Sequence, residues 1–460
     1  MIPALPSGLS PDEAAAIAEE AYVYAYPMLL GYAFFHRQIL GPDTPEKQAV
    51  NRFTHFRTLS SPTLNNTIPW INTDTLYSAA WLDLRAEPKV LTTPPFEPHR
   101  FQDIQANDWF TMAMVTRGTR DRGNGAAVYL FAGPDWRGDT PPGVDEVIVS
   151  EGWMVKLFAR VVVEAPGDEP AIHALQDRYR IERLSAFLGR PAPQPAPAAD
   201  FPAPKPEGFR ERAYYEQPTP DFIGTFNFLM TLARVHPDDA ALFQRFARIG
   251  VAPGAPFAAD ALSADATAAL QRGIDAGLGK IMARLARLDE PVNGWIYALD
   301  LRGGRDVLAG DFDAHLRRAV AARFAIWGPP AEECVYMSAE VDAAGRILDG
   351  SSRAYRLCLD GAPPAKGFWS FTVYDAASRL LAPHPSGRYK LGDRDRDLVR
   401  AEDGSLTLYF QNDEPRNAPR TNWLPVPRAP FQVVARLYWP DRDLLEKRYI
   451  PPGLQACDPV

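Results

Sequence analysis

His55, Asp74 and Tyr77 are the side chains whose types could carry out acid–base chemistry. An imidazole titrates near neutrality and can both take and give a proton. A carboxylate such as Asp74 can orient it, while the phenol of Tyr77 and the amide of Asn72 can donate to a developing negative charge. Arg57, Arg388 and Arg436 can hold a carboxylate, sulfate or phosphate through paired hydrogen bonds. Trp369, Tyr374, Tyr389 and Trp423, with His384 and Asn422 beside them in sequence, can wall a small-molecule pocket. Each has a plain structural alternative. His55 can bond a backbone carbonyl at a domain seam, and Asn72 and Asp74 can brace a turn. Tyr77 can face a core, Arg388 and Arg436 can form ion pairs, and Asn422-Trp423-Leu424-Pro425 can be a packed loop.

Other chemistries find less support. The sequence has no phosphate-binding Gly-x-x-x-x-Gly-Lys loop, no Gly-x-Gly-x-x-Gly after a strand, no His-Glu-x-x-His and no Gly-x-Ser-x-Gly elbow. The seven histidines are isolated, without an i,i+4 pair, and His173, His236 and His315 read as solvated helix residues. A metal site built on Asp74 or Asp83 stays open as an alternative.

The elements that must position these residues follow from local signals. Ser10, Pro11 and Glu13 form the start of a helix, which Pro27 should kink or end. Short β-branched and aromatic runs at Thr75–Leu84, Trp109–Thr116, Ala126–Phe131, Glu146–Ser150 and Trp153–Glu164 read as antiparallel strands, and Gln176–Phe187 as a closing helix. Residues 191–217 are proline-rich and read as a linker. Residues 218–330 carry helical periodicity, with Ser263 as one cap. From Cys334 the pattern is β again, with hairpin turns expected at Asp403-Gly404 and Asp360-Gly361. The domains expected are 1–190, a helical connection at 218–330, and 331–460.

A 460-residue chain exceeds one ordinary core, and its net charge of −8 without a basic run argues against nucleic acid or anionic membrane as partners. Three scattered cysteines make a disulfide framework unexpected, and the first residues lack a secretory pattern, so the cytoplasm is the expected compartment.

Asn72-x-Asp74-Thr75-Leu76-Tyr77-Ser78 followed by Trp81-Leu82-Asp83-Leu84 resembles the signature of the bacterial and fungal proteins with paired DUF1254 and DUF1214 domains. Gly133-Pro134-x-Trp136-x-Gly138, Ala309-Gly310-Asp311-Phe312, Asp342-Ala343-Ala344-Gly345, Phe368-Trp369-Ser370-Phe371-Thr372-Val373-Tyr374-Asp375 and Asn422-Trp423-Leu424-Pro425 extend the resemblance over most of residues 14–452. One departure is His384, which stands where the resemblance implies an asparagine. The resemblance implies an architecture and no reaction.

The expected fold is α+β: an N-terminal domain of antiparallel strands with helices, a helical middle, and a C-terminal β-sandwich or jelly roll. The expected activity is that of a cofactor-independent, hydrolase-like enzyme acting on a small, partly apolar, anionic substrate between the β domains. There His55 moves the proton, Asp74 orients it, Tyr77 and Asn72 stabilise charge, and Arg388 anchors the substrate. The alternatives are a non-catalytic binding protein using the same pocket, a metal-assisted enzyme with carboxylate and histidine ligands, and an assembly subunit. A homo-oligomer is compatible with each.

Overall fold

The computed structural model describes residues 8–41, 47–64, 69–197, 201–202, 218–287, 290–297 and 312–460. Asn65–Ile68, Ala309–Asp311 and most of the proline-rich linker lie outside them. Ser10 accepts the amide of Glu13 at 3.1 Å and opens α1 (Pro11–Phe35). Pro27 does not end this helix, one of the two outcomes expected from its missing donor, and the helix runs on to Phe35. Residues 21–35 are buried throughout, so packing on all sides holds the helix past the lost hydrogen bond.

Around α1 lie α3 (Phe222–Leu229), α4 (Ala240–Phe246), α5 (Ala264–Leu285) and α6 (Phe312–Ala325), which share its apolar core. The first helix therefore belongs with the helical middle of the chain and not with the strands that follow it. Ser263 caps α5 through the amide of Ala266. Where α5 crosses α1 the side chain is glycine: a Cβ on Gly273 would lie 2.1 Å from the carbonyl oxygen of Ala15 and 2.8 Å from the Ala18 Cβ. His315 of α6 is buried beside Asp239 and Tyr24, so it is not the solvated residue its Ala/Arg surroundings suggested.

The N-terminal strands form two layers. One is β1 (Thr54–His55), β2 (Thr75–Asp83), β8 (Met154–Val162), β4 (Gln102–Asn107) and β5 (Ala113–Gly118), in the order β1-β2-β8-β4-β5. The other is β7 (Glu146–Val149), β6 (Ala127–Ala132), β3 (Lys89–Thr93) and β9 (Arg180–Arg183), in that order, with β6 and β7 parallel. Leu76, Ala80, Leu82, Val155, Leu157, Ala159 and Val161 of the first meet Leu91, Tyr129 and Phe131 of the second. The expected helix at Gln176–Phe187 is displaced: α2 (Glu169–Gln176) precedes it, and residues 180–183 pair with β3.

The C-terminal strands repeat this plan. β10 (Trp295–Tyr297), β11 (Cys334–Ala339), β17 (Phe431–Pro440), β13 (Ala365–Asp375) and β14 (Lys390–Gly392) make a five-stranded antiparallel sheet in the order β10-β11-β17-β13-β14. β16 (Trp423–Pro425), β15 (Leu406–Gln411), β12 (Ala354–Leu359) and β18 (Gln455–Cys457) make the second layer. β10 lies before residue 331, so this sandwich recruits its edge from the helical segment. Asp360-Gly361 joins β12 to β13 across layers, and Asp403-Gly404 is a turn with only the glycine at positive φ; neither is the type I′ hairpin expected.

The fold is α+β, with two β-sandwiches and a helical body. Gly273→Ala should lower stability by about 1–2 kcal/mol in equilibrium chemical denaturation, because overpacking costs about 1–3 kcal/mol and exceeds the helix-propensity gain of up to about 1 kcal/mol. A more stable variant would show that α1 and α5 can separate freely.

Candidate functional site

The outward faces of the two five-stranded sheets meet each other. Strand periodicity puts Lys156, Phe158, Arg160 and Val162 of β8 on that face, opposite Gln432, Val434, Arg436 and Tyr438 of β17. At one end Met154 and Val434 join the helical core. At the other, Phe101 and Val162 pack with Cys334, Phe368 and Tyr438 in an apolar plug. Between these two apolar ends the seam is polar and charged.

Asp74, at the entrance to β2, is the centre of this knot. It accepts from Lys390 Nζ at 2.9 Å and from Ser370 Oγ at 2.8 Å, both on the opposite domain. Burial opposes its charge, but Lys390 and Arg436, with the hydrogen bonds from Lys390 and Ser370, outweigh it and hold the carboxyl below the usual aspartate range. Asn72 Oδ1 caps the amides of Asp74 and Thr75 at 2.6 and 3.2 Å, while its Nδ2 donates to Tyr438 OH. Arg436, fully buried, donates to Trp70 O at 2.6 Å, Tyr374 OH at 2.7 Å and Thr372 Oγ1 at 3.1 Å. Tyr374 OH donates in turn to Ile71 O at 2.6 Å. Asn72, Asp74, Tyr374 and Arg436, widely separated in sequence, are thus brought together.

Tyr77 lies on the same face, and its hydroxyl accepts from Arg160 Nε at 3.2 Å. Arg160 also bonds Asp103 Oδ1 at 2.9 Å and Gln105 Oε1 at 2.8 Å, and its guanidinium sits 5.4 Å from the Tyr77 ring and 5.7 Å from the Phe158 ring. Tyr77, Phe158 and Tyr336 keep accessible surface although the strands carrying them are otherwise largely buried. Arg160 itself is buried against the Tyr77 and Phe158 rings. Farther along β8, Lys156 Nζ donates to Gln48 and Gln38 and lies 4.8, 5.0 and 5.7 Å from the Trp81, Phe158 and Trp327 rings; burial pushes its pKa well down.

The other expected residues go elsewhere. His55 bonds Ser78 Oγ at 2.8 Å, and Ser78 faces away from Tyr77 because neighbouring strand residues alternate. Desolvation, with Arg57 nearby, lowers His55 to about 4. It is therefore neutral, on the far face of the sheet, and not oriented by Asp74. Arg57 pairs with Asp177 and bonds His173 O. Trp369 lies inside the C-terminal sandwich, one residue out of step with Ser370. Arg388 is held by the carbonyls of Arg420 and Thr421, and Asn422 by Val399 and Thr407. Trp423 donates to Gln411 O, with His384 edge-on at 5.7 Å, and Tyr389 borders the helical core. Asp83 forks Arg85, and no group of three metal-ligating side chains occurs among the described residues. Of two surface hollows of about 180 and 270 Å³ beside the N-terminal strands, the first is lined by Asp83 and neither by any other expected site residue.

Sequence reasoning missed Lys390, Ser370, Arg160, Asp103 and Glu333. The available signal was the alternation Lys156-x-Phe158-x-Arg160, which reads equally as a solvated face. Asp74→Asn removes the anion facing Lys390 and Arg436. It should cost about 2–3 kcal/mol in chemical denaturation, below the 3–5 kcal/mol of a fully buried pair because Lys390 is partly exposed. Lys390→Met in that background should recover part of the loss; full wild-type stability in Asp74→Asn alone would remove Asp74 from its central place.

The sequence matches two families described as proteins of unknown function, DUF1254 over residues 50–183 and DUF1214 over residues 333–442. No curated protein matches the chain. The VPA0106 protein from Vibrio parahaemolyticus is similar in structure, with a TM-score of 0.75 and 27% identity over 97% of this chain and 100% of that one. An uncharacterised protein from Burkholderia cenocepacia aligns over 95% and 89% at 12% identity, with a TM-score of 0.45. With one matched domain in each β-sandwich, the chain belongs to the family of paired DUF1254 and DUF1214 proteins.

Proposed function

We propose that the protein binds a small, partly apolar anion in the seam between its β domains. The observation that carries this reading is Arg160: a buried guanidinium whose flanking rings, Tyr77 and Phe158, keep accessible surface. Arg160 uses one N–H each from Nε, Nη1 and Nη2, so a further N–H on each Nη is left for a ligand's oxygens. The aromatic walls suit an apolar body attached to the anionic group. A net charge of −8 favours a small ligand over nucleic acid or an anionic membrane as partner. No helix among the described residues is long and apolar enough to cross a membrane, and the unbridged Cys334, Cys358 and Cys457 suit the cytoplasm.

A second reading, hydrolysis of that anion without a cofactor, draws on Glu333. Burial and the charge of Asp103 push its carboxyl up to about 8, which brings its titration toward neutral pH in the same seam. In this reading Glu333, not His55, supplies the titrating group, and Tyr77 and Arg160 face the substrate.

Thermal-shift and native mass spectrometry with benzoate, phenyl phosphate and phenyl sulfate test the first reading. At a hundredfold excess over Kd, a ligand should stabilise the wild type by about 2.7 kcal/mol. Phe158→Ala and Arg160→Gln should abolish the shift, whereas His55→Ala should leave it intact. Failure of all three anions to shift or be retained overturns the reading, and a shift lost in His55→Ala moves the site to the other face of the sheet.

A further inference from the structure

Asp103 and Glu333 come from opposite domains. Asp103 stands on β4 in register with Arg160, and Glu333 directly precedes β11. Both are buried, and each gives one oxygen to an arginine: Asp103 Oδ1 to Arg160 at 2.9 Å, Glu333 Oε2 to Arg120 at 2.6 Å. The remaining oxygens, Asp103 Oδ2 and Glu333 Oε1, have no hydrogen-bond partner and no contact with solvent. The apolar plug of Phe101, Val162, Cys334, Phe368 and Tyr438 lies beside them. A buried carboxylate oxygen left without a donor is costly. Arg120 and Arg160 repel a metal cation, which leaves the proton as the ligand that can answer these oxygens.

We propose that Asp103 and Glu333 form one proton-binding site across the domain seam, and that its occupancy latches the two five-stranded sheets together. With the proton in place, one carboxylate and one carboxylic acid face the two guanidiniums. When the proton leaves to solvent, a second buried negative charge must be held in the same dry space, and the sheets separate more readily. The charged and titratable groups facing the pair are Arg120 and Arg160, with Asp121 and Glu332 acting on Arg120 and the hydroxyls of Tyr77, Tyr336 and Tyr438 near Arg160. Tyr179 interacts with Asp103 from the sandwich interior, where burial raises its pKa.

The direction of the pH effect follows from linkage. Asp103 is raised by burial, and Glu333 rises from its ordinary value to about 8. A carboxyl raised by docking binds more proton docked than undocked. Docking is strongest below the ordinary carboxyl range and weakens as pH rises from there to about 8.

Cys334, buried next to Glu333, reports the opening without any ligand, and Cys358 is an exposed internal reference. Alkylation of the full-length protein by iodoacetamide, resolved by mass spectrometry, gives the Cys334 to Cys358 rate ratio. In the wild type this ratio should rise by about tenfold per pH unit between pH 6 and 8. In Glu333→Gln and in Asp103→Asn, which preserve shape, it should be flat. Circular dichroism identifies a variant that fails to fold, in which case the other one decides. A flat wild-type ratio, or a slope that survives in the folded variants, overturns the latch. So does an equal loss of hydrogen-exchange protection in β2 and β12, since the sandwiches themselves would then be opening. None of these outcomes touches the anion reading, because the assay uses the free protein.

Discussion

A charged group sealed between two sheets must find its counter-charge and donors within the seam. The seam of this protein is organised around that requirement. Arg436 reaches across to the carbonyls of Trp70 and Ile71, Asp74 reaches back to Lys390 and Ser370, and Glu333 meets Arg120. Such pairs add little net stability compared with an apolar seam, yet removing one partner costs about 3–5 kcal/mol when the pair is fully buried. Their effect is to restrict the domains to the arrangement in which every partner coincides.

The helical body and the apolar plug make this polar seam tenable. Following β8 from Met154 to Val162, alternate side chains pass from the helical core, through the Lys156 cage and Phe158, to Arg160 and then the plug. The matching positions on β17 run from Val434 through Arg436 to Tyr438. Water is excluded at both ends, so interactions in the middle operate at low dielectric, where charges are strong and unpaired groups expensive.

Much of the architecture was legible in local pattern. Ser10 and Ser263 cap helices as their positions suggested, and β2, β6, β7 and β8 occupy the β-branched runs that announced them. The failures have identifiable causes. β4, Gln102–Asn107, offers only Ile104 and Ala106 to the sandwich core, and its polar face of Asp103, Gln105 and Asn107 meets a second interface and not solvent. β9 is a strand because β3 offers it an edge, and α1 passes Pro27 because neighbours on every side hold it.

By itself the sequence determined many of the helices and strands, the family to which the chain belongs, and the residue types, Asn72, Asp74, Tyr374 and Arg436 among them, that could meet in a polar site. Only tertiary structure decided which face each side chain occupies. One residue of register separates Tyr77, beside Arg160, from Ser78, which holds His55 on the far side of the same sheet. The same step puts Trp369 inside a sandwich and Ser370 on Asp74. Local sequence encodes alternation, but whether an outward face meets water or another domain depends on contacts between residues hundreds of positions apart, and those exist only once the two sandwiches dock.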